Sequence, residues 1–79
     1  MRPVIKRILL ALADAGGQLT HQQVISRLLR RNYSQGQIQR MLDGELLYLV
    51  EVEKRQIEGT STRIWKITDR GYEALNQDD

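Results

Sequence analysis

Residues 20–42 read THQQVISRLLRRNYSQGQIQRML and decide the fold of this 79-residue chain. Thr20 is followed three residues later by Gln23, and Ser34 is followed at the same distance by Gln37. Each pair has the spacing of a capping box, in which a hydroxyl and an amide side chain satisfy free N–H groups at a helix start. The stretch therefore predicts two consecutive helices, the first over about 21–31 and the second beginning near residue 35.

Apolar residues follow both predicted helix starts at the spacing of one helical face. The second stripe predicts a helix that ends between residues 44 and 48. Two helices joined by so short a connector match a helix-turn-helix. The two stripes consist of Val24, Ile25, Leu28 and Leu29, and of Ile38, Met41, Leu42 and Leu46.

An amphipathic helix and a short strand are predicted before this pair. Pro3 favours a helix start because its missing N–H would have no partner there. Gly16 and Gly17 end the helix, which gives a range of about 3–15, and Leu19 forms the short strand. Its apolar stripe consists of Ile5, Ile8, Leu9 and Leu12.

From Tyr48 onward the apolar period changes from 3.6 to 2, which indicates strands. A turn cluster over 58–61 and a second β-rich run over 62–67 predict a hairpin. Trp65 and Ile67 are expected on one face of that run and Ile64 on the other. Thr68 and Asp69 can cap a short last helix through Leu75.

Composition limits the function classes. The length predicts one domain over residues 1–79, with its core at about 3–75. The absence of cysteine and the single histidine exclude a thiolate or histidine-cluster metal site. No glycine-rich phosphate loop is present, and so small a core offers no catalytic pocket. We expect neither an enzyme nor a bound cofactor or metal.

Residues 8–13 form an apolar run that is too short for a secretory signal, and no run of 18 apolar residues predicts a membrane span. A cytoplasmic protein is expected. The charge is unevenly divided: residues 1–40 carry seven positive charges and one negative, and residues 41–79 carry five positive and nine negative. This asymmetry indicates an anionic partner for the first half.

The order of these elements resembles the winged helix-turn-helix superfamily, and within it the MarR-like and PadR-like transcription regulators. The resemblance covers about residues 4–75. One departure is that Tyr48 stands where these regulators place a glycine before an aliphatic pair, and the nearby glycine is Gly44. The residues that carry the resemblance are Leu19-Thr20, Ser34 through Leu42, Leu49-Val50-Glu51-Val52, and 65–75, which read WKITDRGYEAL.

The resemblance implies an α+β fold with a three-helix core, a β-hairpin wing and a short C-terminal helix. It also implies sequence-specific binding of double-stranded DNA by a small transcriptional regulator, with helix 35–46 in the major groove. A homodimer is expected, because one such module reads too few bases for a specific site. Arginine pairs with guanine and glutamine with adenine. The residues expected to read bases are Gln35, Gln37, Gln39 and Arg40.

Phosphate contacts are expected at the two helix starts and from flanking arginines, which position a protein without reading sequence. The candidates are Thr20, Ser34, Arg30 and Arg31. His21 is expected as a surface residue of a first turn, and phosphate contact is the alternative.

The hairpin offers arguments for and against a contact with DNA. Lys54, Arg55 and Arg63 flank its turn and could reach phosphates, whereas Glu51, Glu53 and Glu58 would repel them. Glu51 and Glu53 are expected on the face away from Val50 and Val52.

The runner-up function is a winged-helix module that binds another protein without reading DNA, and an RNA-binding winged helix is a third option. Asp43 lies on the predicted recognition face, and so does Leu47 if the helix extends that far. An exposed apolar pair such as Leu47 and Tyr48 can mark a protein interface.

Overall fold

The structure is a computed structural model that describes residues 1–77. The predicted α+β class is confirmed, in an arrangement compatible with a winged helix. The expectation that residues 78 and 79 fray lies outside the described residues. The regular elements are α1 (Pro3–Asp14), β1 (Gln18–Thr20), α2 (His21–Val24), α3 (Gln35–Asp43), β2 (Val50–Ile57), β3 (Thr60–Ile67) and α4 (Asp69–Gln77).

The predicted helix over 21–31 is helical throughout but is not one regular α-helix. After α2, residues Ile25–Leu29 form a π turn, and Arg30–Asn32 form a 3₁₀ turn. The N–H of Arg30 donates to the carbonyl of Ile25, five residues back. The wider turn brings Val24 and Leu29, which are five residues apart, into the core together, and both are fully buried.

The three strands form an antiparallel sheet in the order β1-β3-β2. The hairpin closes through Glu58 and Gly59, whose φ angles of 52° and 78° fit the two-residue turn that matches the twist of paired strands. Its turn is therefore shorter than the predicted cluster, and β3 begins at Thr60.

Alternation along β3 separates a core face from an outer face. Trp65 and Ile67 belong to the hydrophobic core with Val50, and Leu19 of β1 lies opposite Trp65. Ile64 is buried on the outer face and is not part of that core cluster, as expected from the sequence. We call the side of the sheet that carries Trp65 the core face.

The segment between α3 and β2 departs from the predicted helix. The α-helix ends at Asp43, yet Leu46 is fully buried and its N–H donates to the carbonyl of Met41. Leu47 and Tyr48 are exposed, at 47% and 63% of their surface. Tyr48 has φ +69°, so it adopts the left-handed conformation that a glycine would occupy at this position without strain.

Thr68 caps the start of α4, as the sequence predicted, and it also binds the segment between α3 and β2. Its hydroxyl oxygen accepts from the N–H of Gly71 at 3.2 Å, and the hydroxyl donates to the carbonyl of Tyr48. Gly71 is buried against Leu49 and Ile67. Within residues 1–77, no helix combines the length and the apolar character that a bilayer crossing needs.

Replacing Gly71 tests this close packing. A β-carbon at position 71 would lie 2.5 Å from the carbonyl oxygen of Leu49 and 2.6 Å from Cγ1 of Ile67. We expect Gly71→Ala to lower the free energy of unfolding by about 1–3 kcal/mol, because a packed site must shift to admit the methyl group. Urea denaturation measures this change.

The matched control is Gly36→Ala, the same substitution in another helix. A β-carbon at position 36 would come no closer than 3.9 Å to Ser34 Oγ. This variant should unfold at an equal or higher urea concentration, since alanine favours a helix by about 0.5–1 kcal/mol over glycine. Equal stability of the two variants would contradict the packing described for Gly71.

Candidate nucleic-acid interface

Both predicted capping boxes are present and fix the starts of α2 and α3. The Ser34 hydroxyl oxygen accepts from the N–H of Gln37 at 3.2 Å, and the Gln37 side-chain oxygen accepts from the N–H of Ser34 at 2.8 Å. Thr20 and Gln23 make the equivalent pair at 3.1 and 2.9 Å. Gln37 is thereby committed to the cap, while the hydroxyl hydrogens of Thr20 and Ser34 stay available to an anion.

The exposed surface of α3 carries the other candidate base-reading groups. Gln35, Gln39 and Arg40 are exposed, while Ile38 and Met41 are buried. Gln39 donates from its amide to Asp43 at 3.1 Å, which orients that side chain. Arg40 makes no ion pair within residues 1–77.

Arg40 borders a groove of about 200 Å³ together with Arg2 and Glu45. Arg2 donates through Nε to a carboxylate oxygen of Glu45 at 2.7 Å, and this hydrogen bond lowers the pKa of Glu45. The negative charge that borders this groove is therefore paired with a cation of the chain itself.

Strand alternation places the charges of the hairpin on opposite faces. Lys54 lies directly opposite Arg63, and both stand on the core face beyond Val52 and Trp65. No carboxylate pairs with either cation in the part of the chain described. Like charges directly opposite each other across two strands are unfavourable unless an anion is supplied.

Glu51 and Glu53 lie on the outer face, as the sequence predicted, and Glu58 lies in the turn. Glu53 pairs with Lys66 and accepts from Arg55 at 3.1 Å, and these cations lower its pKa. Arg55 therefore stands apart from Lys54 and Arg63, although the three were grouped by sequence. α3 faces the other side, because Gln39 and Leu42 line a groove with Val50, Val52 and Arg63.

Arg30 and Arg31 lie in the 3₁₀ turn between α2 and α3. Arg30 is exposed and has φ +48°. Arg30 is not among the residues that line the groove between α3 and β3, which come from other elements.

An unexpected hydrogen bond joins α2 to the core. The indole Nε1–H of Trp65 donates to Nδ1 of His21 at 3.0 Å, and the two rings lie 5.7 Å apart. His21 is in the first turn as expected but is half-buried rather than on the surface. A buried indole N–H needs an acceptor, and this requirement is the sequence signal for such a partner.

His21 also borders a cleft of about 290 Å³ between α3 and β3. The cleft, called the His21–Arg63 cleft below, is lined on the α3 side by Gln35 and Gln39. Burial first, and the charge of Arg63 second, lower the pKa of His21 from its ordinary value of 6.5. The imidazole is therefore neutral at pH 7.

In residues 1–77, no group of three or more histidine, cysteine, aspartate or glutamate residues could hold a metal ion. Comparison with protein-family models, with curated proteins and with solved structures finds no match to this chain.

The His21–Trp65 bond predicts how stability changes with pH. Because the folded-state pKa of His21 is lowered, its contribution is complete above the unfolded value of 6.5 and is lost as the pH falls below it. The ion pairs of Glu45 and Glu53 affect stability in a separate pH range. The pKa of each carboxyl is lowered, so its contribution to stability is lost only below about pH 4.5. Urea unfolding measured between about pH 7.5 and about pH 5 therefore isolates the contribution of His21 to the free energy of unfolding.

NMR titration of His21, the only histidine of the chain, measures the pKa of its ring in the folded protein directly. We expect a midpoint below 6.5, and a higher one in Arg63→Gln than in the wild type, because a nearby positive charge is removed. Arg55→Gln is the control and should leave the midpoint unchanged. A wild-type midpoint at or above 6.5 would contradict the assignment.

Proposed function

We propose that this chain is a winged helix-turn-helix domain that binds double-stranded DNA, with α3 in the major groove and the β2–β3 hairpin as its wing. The single observation that carries the proposal is the distribution of charge on the hairpin. The unpaired Lys54 and Arg63 stand on the side of the sheet that faces α3. The carboxylate of Glu53 is on the other side and is paired with cations.

Each candidate residue then has a distinct role. Gln35 and Arg40 are exposed on α3 and supply the hydrogen-bonding groups that read base edges. Gln39 reads a base through the amide that Asp43 orients. Thr20 and Ser34 donate hydroxyl hydrogens to phosphates at helix starts, where free N–H groups favour anions.

The cations outside α3 position the domain on the duplex. Lys54 and Arg63 contact the DNA backbone beside α3, and Arg30 and Arg31 contact it from the preceding turn. Such contacts contribute affinity without reading sequence, and counterion release makes them salt-dependent. Arg55 is the candidate with the least support for a DNA contact, because Glu53 already binds it on the outer face.

The proposal includes action as a small transcriptional regulator in the cytoplasm. It also includes homodimerisation, because one helix-turn-helix reads few base pairs and a two-fold dimer doubles the site.

A matched pair of neighbouring residues tests DNA binding. We expect Lys54→Ala to weaken binding to random duplex DNA and to lower the slope of log K against log salt by about 0.9, the contribution of one phosphate contact. Arg55→Ala should change neither quantity measurably, because its side chain lies on the outer face. Fluorescence anisotropy at salt concentrations of about 50 to 200 mM measures the affinity and its salt dependence.

Wild-type protein that shows no salt-sensitive binding to duplex DNA would refute the proposed function. Equal losses in Lys54→Ala and Arg55→Ala would refute the role assigned to the face of the hairpin. A thermal melt of each variant confirms that the hairpin is folded.

A second candidate function is a protein-interaction module. The observation that favours it is the exposure of Leu47 beside Tyr48, which holds a left-handed backbone conformation at a cost of about 1–3 kcal/mol. The guanidinium of Arg70 lies 5.2 Å from the centre of the Tyr48 ring. Strain of this kind persists where the surrounding structure, and in many proteins a function, maintains it.

Leu47→Glu separates this candidate from DNA binding. Because Leu47 is exposed, the variant should keep the thermal stability of the wild type. If the chain works through a protein partner, the partner that co-purifies after nuclease treatment should be lost in this variant. Retention of the partner by Leu47→Glu would exclude this surface as the contact.

A further inference from the structure

We propose that the His21–Arg63 cleft holds one phosphate of the DNA strand that passes between α3 and the hairpin, with His21 and Arg63 as its side-chain donors. This inference rests on the proposed function and deepens it by assigning a defined backbone subsite. The sequence predicts a surface position for His21, with phosphate contact as the alternative, but it does not join His21 to any group of the wing.

The hydrogen bond from Trp65 determines what His21 can offer. An indole N–H only donates, so Nδ1 of His21 must carry a lone pair in order to accept. In a neutral imidazole the proton then resides on Nε2. Nε2–H has no acceptor within residues 1–77, and the ring borders the cleft, so His21 presents a donor of fixed tautomer there.

The charge of the cleft favours an anion. Arg63 borders it without a carboxylate partner, and no aspartate or glutamate is among its lining residues. The nearest acid on α3 is Asp43, which borders the adjoining groove with Arg63 and is bonded to Gln39. Lys54, across the strand pair from Arg63, adds a second positive charge on the same face.

The floor of the cleft is open to close approach. Gly36 lies in the first turn of α3 and contributes no side chain to the space it borders. Its N–H is among the first four of the helix, which have no partner inside the helix, and the Ser34 cap binds the N–H of Gln37 instead. A phosphate oxygen held by His21 and Arg63 could therefore also reach a backbone donor.

The position of the cleft fits the geometry of a duplex. One sugar–phosphate strand separates the major groove from the adjacent minor groove. A protein with α3 in the first and the hairpin over the second must straddle that strand. The His21–Arg63 cleft lies between α3 and β3, where the strand would run.

The first test uses the histidine of the wild-type chain as its own reporter, with a duplex selected from a random pool. DNA binding should shift the His21 ring signals and raise the pKa of His21, because an adjacent phosphate favours the imidazolium form. DNA that binds without changing either the ring signals or the midpoint would overturn the inference and leave the proposed function standing.

The second test compares variants on that duplex. Arg63→Gln should weaken binding about tenfold, the effect of losing one charge-assisted hydrogen bond. Lys66→Gln is the control on the same strand, because Lys66 lies on the outer face with Glu53. His21→Leu should also weaken binding, while His21→Gln, which restores an amide donor, should recover part of the loss.

A neutral methylphosphonate placed at each backbone position in turn completes the design. We expect one position at which the substitution weakens binding of the wild type but adds nothing further in Arg63→Gln. If the loss from the methylphosphonate and the loss from Arg63→Gln add at every position, the inference is overturned. This test does not use His21→Leu, so it holds even if that variant is destabilised because the indole of Trp65 has lost its acceptor. Absence of any duplex binding by the wild type would instead overturn the proposed function together with this subsite.

Discussion

The rest of the structure depends on the burial of Trp65 in the middle strand of the sheet. Its side chain is fully buried, with Leu19 opposite it on β1 and Val52 opposite it on β2. A tryptophan in a core must also satisfy its indole N–H, and His21 does so from the first turn of α2. One side chain therefore connects the three strands, the first turn of α2 and the tautomer of the histidine at the cleft.

The two-residue period of the hairpin explains how a chain with many acidic residues in its second half can still present a basic surface. Lys54 and Arg63 project from the same face because they are direct cross-strand partners. Glu53 projects from the opposite face, where Lys66 and Arg55 neutralise it. A slip of one residue in the strand register would exchange the two faces, so the short turn at Glu58 and Gly59 also determines the electrostatics.

The sequence predicts those parts of the structure that depend on neighbours along the chain. The capping boxes at Thr20 and Ser34 depend on residues three apart, and both are present. The faces of the hairpin follow from strict alternation. The bond between Trp65 and His21 joins residues 44 positions apart, and no local pattern encodes it. The irregular turns after α2 also escape prediction, because the apolar spacing of residues 24–29 is compatible with a regular α-helix.

The candidate site combines residues that local sequence patterns identify with contacts that only the folded chain creates. The exposed glutamines and Arg40 could be proposed from sequence, but their relation to Arg63 and His21 requires the fold. His21 accepts from Trp65 only in its deprotonated form at Nδ1, so protonation weakens the anchoring of the core. A phosphate at the cleft favours the protonated form. Core stability and anion binding are thus linked through one proton, and linkage requires that each alters the other by an equal free energy.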